Sequence, residues 1–175
     1  MTLSSPDLPP ITRRLGIAAR MRALAACVPP GTRVFADVGT DHGILPIAVL
    51  RQQRAQRCIA IDRSVAALAE TRRRLRRGGC AERIELRAGD GLAPIAPDEI
   101  DVVCIAGLGP RTMASILEAG LPRLRGARVR LVLNPFGGSD APRAFLAAHG
   151  FALITDTTVA ERGRSYTILV AERHG

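Results

Sequence analysis

Between Arg33 and Ala171, short apolar runs alternate with segments whose apolar residues recur at helical spacing, and this alternation constrains the fold most. The runs predict strands at Arg33–Val38, Arg57–Ile61, Arg83–Ala88, Ile100–Ala106 and Val129–Leu133, then Phe151–Asp156 and Ser165–Ala171. Helices are predicted at Gly43–Gln53, from a Ser64 cap to about Arg77 before Gly78-Gly79, at Arg111–Gly120 and at Ala141–His149. Hydrophobic residues make up 47% of the chain but aromatics only 3%, so the core must be Ala, Leu, Ile and Val. Such runs suit a parallel sheet buried under helices on both faces.

Residues 1–10 read as a mobile leader, and residues 11–175 as a single domain opening with a helix at 11–27 that ends at Pro29-Pro30-Gly31. The last two strands have no helix between them. Their short link, Thr157–Arg164, predicts an antiparallel hairpin closing a seven-stranded, mostly parallel α/β sheet. A Rossmann-like sheet ending this way is the layout of class I methyltransferases, whereas nicotinamide-binding domains end in another crossover.

Ligands of such sheets bind beyond the carboxyl ends of the strands. The first strand end reads Asp37-Val-Gly39-Thr40-Asp41-His42-Gly43. A dinucleotide fingerprint spaces its glycines to bring pyrophosphate against the backbone. Here the two glycines are separated by an acid, which repels phosphate and suits a cation. S-adenosylmethionine is a sulfonium with an amino-acid tail and no phosphate. Asp62 ends the second strand, where a carboxylate accepts hydrogen bonds from ribose hydroxyls. Gly89-Asp90-Gly91 follows the third, with Asp90 placed to receive an adenine amino group. Ala106-Gly107-Leu108-Gly109 follows the fourth, a small-residue strip where substrate would meet the methyl. Each has an ordinary alternative: Asp37 holding its loop, Asp62 opening a helix, Gly-Asp-Gly serving as a plain turn. Their order along four successive strand ends favours the cofactor site. No metal site is expected.

The formal charge is +9 and all 25 basic residues are arginines, which permits an RNA or DNA partner. An arginine-rich solvated surface explains the same number. Cys27, Cys58, Cys80 and Cys104 form no C-x-x-C pair, so reduced thiols and a cytoplasmic location are expected. No export signal or membrane-spanning run is seen.

Five stretches together resemble the bacterial tRNA methyltransferases that modify N1 of adenosine 22. They are R-R-L-G-I-A-A-R-M (13–21), D-V-G-T-D-H-G (37–43), G-D-G-L (89–92), I-A-G-L-G (105–109) and L-V-L-N-P (131–135). The resemblance runs over residues 13–171. It implies a Rossmann-like domain that takes S-adenosylmethionine and methylates tRNA, with Asp41 important for activity and Ala106–Gly109 facing the target base. Adenine N1 has an in-plane lone pair that can attack the methyl without a strong base. Asp41 could orient the exocyclic amino group and stabilise the positive charge that develops; His42 shapes the site or braces the loop. The chain departs from the family at Pro110, and at Asn134-Pro135-Phe136 in place of the usual Gln-Pro-Asn. The latter resembles the Asn-Pro-Pro-aromatic turn of exocyclic-nitrogen methyltransferases only loosely, following strand five with one proline.

Leu108, Gly109, Asn134 and Pro135 are placed at the substrate edge. The family continues into a C-terminal helical hairpin where this sequence ends at Gly175. The RNA grip is therefore expected from Arg13, Arg14, Arg20, Arg22 and Arg111, or from a partner protein or homodimer. Three other functions stay open: a methyltransferase for a small molecule or protein, a non-catalytic S-adenosylmethionine-binding module, and a nicotinamide-dependent oxidoreductase.

Overall fold

The computed structural model describes residues 18–124 and 128–173. Helix α1 (Ala19–Ala26) leads into β1 (Thr32–Val38), α2 (Ile44–Arg51), β2 (Ala55–Asp62) and α3 (Val65–Gly78). Next come β3 (Ile84–Ala88), β4 (Val102–Ala106), α4 (Pro110–Gly120), β5 (Val129–Asn134) and α5 (Asp140–Ala148), and then β6 (Ala152–Glu161) and β7 (Arg164–Arg173). The seven strands form one sheet in the order β3-β2-β1-β4-β5-β7-β6. The expected first helix falls partly outside the described residues, as do the leader, Arg13 and Arg14.

Pairing from β3 through β5 is parallel, while β7 runs antiparallel to both β5 and β6. Both faces of the inner strands are buried, and their residues divide strictly by parity. Val34, Ala36 and Val38 pack with Ile59, Ile61, Val103, Ile105, Leu131 and Leu133 against Met113, Leu117, Phe145 and Leu146 of α4 and α5. Phe35, Cys58, Ala60, Val102, Cys104 and Val132 face the other way, onto Leu24 and Ala25 of α1, Leu45–Leu50 of α2 and Leu75 of α3. Period-two alternation between two apolar layers explains why the strand sequences read as continuous apolar runs. Ser64 caps α3 by accepting the Ala67 N–H at 3.1 Å, as its sequence position implied.

The hairpin differs in extent from the expectation. The sequence predicts Thr157–Arg164 as a connection, but β6 continues to Glu161 and β7 starts at Arg164. The turn is Arg162-Gly163 alone, with φ of 50° and 74°. Two successive positive φ values give the strand twist that a two-residue hairpin requires. The polar Thr157 and Thr158 disguised the strand. They lie on β6, an edge strand of the sheet, where Thr158 is exposed and Thr157 half-buried, so no apolar run marks the strand. Among the described residues, no helix is long and apolar enough to cross a membrane.

Candidate functional site

A cavity of about 880 Å³ opens beyond the carboxyl ends of β1, β2 and β4. Asp37 sits at its floor. It shares the parity of Phe35, pairs with Ala60 and Cys104 on the neighbouring strands, and is 4% exposed. Burial pushes its carboxyl up to about 7; the hydrogen bond from Thr40 Oγ1 to Asp37 Oδ2 (2.7 Å) opposes this, and the nearby Asp62 charge adds to it.

The loop after β1 is folded back onto β2. The N–H groups of Gly39 and Thr40 both donate to the Ile61 carbonyl, at 2.9 and 3.0 Å. The Asp41 N–H donates to Asp62 Oδ2 at 3.1 Å, and the Asp41 carbonyl accepts Thr71 Oγ1 at 2.9 Å. These bonds hold Asp41 at φ 52°, a left-handed conformation that Asp tolerates better than most residues. Its backbone is fixed while its side chain, 74% exposed, projects into the cavity 3.5 Å from His42 Nε2.

Asp62 does two things at once. Its oxygens accept the N–H groups of Asp41 (3.1 Å) and Ser64 (2.8 Å), so it opens α3 and braces the Asp41 loop, and it also lines the cavity. Asp90 lies at the same rim, 3.8 Å from Arg63 Nε.

Of the residues expected at the site, Asp37, Gly39, Thr40, Asp41, His42, Asp62, Asp90, Gly91, Ala106, Gly107 and Leu108 line the cavity. Six do not. Gly43 is the left-handed start of α2 (φ 67°), and a Cβ there would lie 2.5 Å from Thr71 Cγ2, so its role is close packing. Gly89 packs the same way against Pro94, and its N–H bonds the Asp62 carbonyl. Gly109 precedes α4, and Arg111 points to solvent from the first turn of that helix. Asn134 and Pro135 are buried rather than exposed at a substrate edge. Asn134 Nδ2 donates to the Thr167 carbonyl at 2.6 Å, and its Oδ1 accepts Arg20 Nη1 at 3.3 Å, which joins the end of β5 to β7 just past their last paired residues, Leu133 and Leu169.

Arg20 is likewise drawn inward from its expected role in RNA grip. Its guanidinium stacks 4.8 Å from the Tyr166 ring centre and lines the cavity. Sequence reasoning missed Tyr166 and the α4 face of Thr112, Ser115, Ile116 and Ala119. The helical spacing of that face, beginning just after the Gly-Leu-Gly strip, was the signal available.

Asp37, Asp41, Asp62 and Asp90 line the cavity together with Arg20, Arg63 and Arg123, and the three acids gathered at the ends of β1 and β2 suit a cation with an amino-acid tail. The backbone leaves room for a ligand: a Cβ on Gly107 (φ 76°) would meet nothing within 4 Å, and one on Gly39 would come no closer than 3.9 Å to Leu108. These residues fit S-adenosylmethionine.

A methyltransferase-domain family model matches residues 17–169. The tRNA (adenine(22)-N(1))-methyltransferase of Bacillus subtilis is 35% identical over 158 residues, 90% of this chain and 66% of that protein. The chain thus spans about two thirds of that relative's length. The crystal structure of the B. subtilis M1A22 tRNA methyltransferase TrmK superposes with a TM-score of 0.86 at 35% identity, covering 91% of this chain and 68% of that one. Streptococcus pneumoniae Sp1610, solved in complex with S-adenosyl-L-methionine, superposes with a TM-score of 0.83 at 34% identity, covering 89% and 72% of the two chains.

Proposed function

Because this chain belongs to the tRNA (adenine-22 N1)-methyltransferase family of S-adenosylmethionine-dependent enzymes, we propose that its cavity methylates N1 of an adenosine in tRNA. The observation that carries the proposal is Asp41, whose backbone is clamped by Asp62 and Thr71 while its carboxylate, beside His42, faces the open cavity.

When bound, the cofactor supplies an electrophilic methyl on a sulfonium. The chain's own residues bind and orient. Asp37 is the counter-charge for the ammonium of the amino-acid tail, and Asp62 has lone pairs left for ribose hydroxyls. Asp90 accepts from the adenine end. Asp41 accepts a hydrogen bond from the exocyclic amino group of the target base, which turns N1 toward the methyl. As N1 forms its new bond the purine becomes cationic, and the same carboxylate stabilises that charge in place. No proton need leave at bond formation, so no strong base is required. His42, 3.5 Å from Asp41, orients the carboxylate.

RNA contacts outside the cavity fall to arginines such as Arg13, Arg14 and Arg111, and to a partner protein or second copy of the chain. Four free cysteines, three of them buried, suit a reducing compartment, which supports a cytoplasmic location.

The test is incubation with S-adenosylmethionine and unmodified tRNA, followed by nucleoside mass spectrometry. The expected product is 1-methyladenosine, with Asp41→Ala slower by about 100-fold or more. Cofactor binding with no methylation of any RNA would overturn the proposal.

A further inference from the structure

The chain has four phenylalanines, one tyrosine and no tryptophan. Three of these rings, Phe35, Phe145 and Phe151, are buried in the core. The remaining two, Phe136 and Tyr166, both line the cavity. In a protein this poor in aromatics, every ring spared from the core stands at the site.

The two rings are used differently. One face of Tyr166 carries the Arg20 guanidinium. Phe136 is 58% exposed, and among the described residues no ring or cation stacks on it. Its backbone nevertheless is fixed. The Phe136 N–H donates to the Leu108 carbonyl at 2.8 Å, and two residues earlier the Asn134 carbonyl accepts the Gly107 N–H at 2.9 Å. These bonds staple the loop after β5 to the loop after β4. Buried Pro135 precedes the ring. The result is an apolar, planar surface in water beside the Gly107-Leu108 strip, anchored through its own amide.

An isolated exposed phenylalanine needs no explanation on an open surface. At the rim of a cavity, with its backbone bonded to the neighbouring loop at residues 134 and 136, it is a stacking face whose backbone is already positioned.

We propose that Phe136 is the platform on which the target purine stacks, holding the unpaired base at the acceptor end of the cavity. This rests on the function proposed above and adds the element that selects a flat heteroaromatic acceptor over an aliphatic one. Stacking reads the π face and not the base edge, so Phe136 positions the base while Asp41 discriminates its edge.

The experiment compares Phe136→Ala, Phe136→Leu and Phe136→Trp with the wild type, measuring kcat/KM for unmodified tRNA and, separately, the affinity for S-adenosylmethionine. Loss of one base–aromatic stack predicts a fall of about 5- to 150-fold for both Ala and Leu, with Trp close to wild type and cofactor affinity unchanged in all three. Retention of activity in Phe136→Leu would reduce the ring to apolar filling and overturn the proposal, as would unchanged kcat/KM in Phe136→Ala. A second measurement needs neither variant nor RNA. Adenosine 5′-monophosphate is titrated into wild-type protein saturated with S-adenosylhomocysteine, and NMR cross-peaks between adenine H2 or H8 and the Phe136 ring are expected. Their absence would overturn the platform. Cross-peaks in a wild-type protein that methylates no tRNA would retain the platform and defeat the tRNA assignment.

Discussion

Replacing Asp37 by Asn should stabilise the empty protein and weaken its hold on the cofactor. Asp37 is buried on the face of β1 packed against α1 and α2, and burial carries its carboxyl from the ordinary 3.8 to about 7. Between those values the unfolded chain has released the proton and the folded chain retains it. The folded state then binds more protons, so stability falls as pH rises from about 4 to about 7 and levels off above. The full displacement corresponds to about 4 kcal/mol. Asn keeps the acceptor for Thr40 Oγ1 and carries no charge to bury, but its new N–H group needs a partner of its own. The expected net gain for Asp37→Asn at pH 8 is between about 1 and about 4 kcal/mol, shrinking toward zero near pH 4.

Urea unfolding of both proteins at half-unit steps from pH 4.5 to 8 measures this directly. Isothermal titration with S-adenosylmethionine supplies the other half. The wild type should bind more tightly as pH rises through 7, because ionised Asp37 faces the cofactor ammonium, whereas the Asn variant should bind at least ten-fold more weakly at pH 8 with a flat profile. Parallel stability curves for the two proteins would refute the burial argument. Diverging stability with equal cofactor affinity would refute the placement of Asp37 at the cofactor.

Three further outcomes follow from neighbouring contacts. Asp41→Asn keeps the left-handed backbone but removes the charge, so methyl transfer should fall about 100-fold in a single-turnover assay while the melting temperature holds. Gly43→Ala places a Cβ 2.5 Å from Thr71 Cγ2, and Thr71 cannot swing away without losing its bond to the Asp41 carbonyl; denaturant unfolding should show a loss of roughly 2–4 kcal/mol. Asn134→Leu removes the donor to the Thr167 carbonyl and the acceptor for Arg20 Nη1 at the end of β5, and should cost roughly 2–3 kcal/mol in the same measurement.

The inner strands were legible because residues such as Val34–Val38 are buried on both faces, and a double-sided strand writes itself as an unbroken apolar run. The far half of the outer strand was not. β6 is predicted only to Asp156, because Thr157-Thr158 and the residues after them carry no apolar run and look like a connection. At the site, topology made Asp37, Asp62, Asp90 and Ala106 findable, since the carboxyl end of a parallel strand is known once the strand is. Asn134 satisfies the same rule yet turns inward, because its partner Thr167 lies 33 residues away on a strand whose pairing with β5 no local pattern reveals. Arg20 was hidden for the same reason. A basic residue on a helix reads as surface until Tyr166 is brought over it from the far end of the chain.

The position of β7 has a consequence for synthesis on the ribosome. Of the seven strands described it is the last to be made, yet it lies inside the sheet, between β5 and β6. A nascent chain that has emerged only as far as β6 can pair β3, β2, β1, β4 and β5, but the outer edge of β5 must wait, since Val129–Leu133 pair with residues 169–173. The same wait applies to the cavity, because Tyr166 and the Thr167 carbonyl that anchors Asn134 both arrive with β7. Translation therefore delivers the cofactor-side carboxylates first and the Tyr166 wall last, and a truncated product would expose an unpaired strand edge that quality control can recognise.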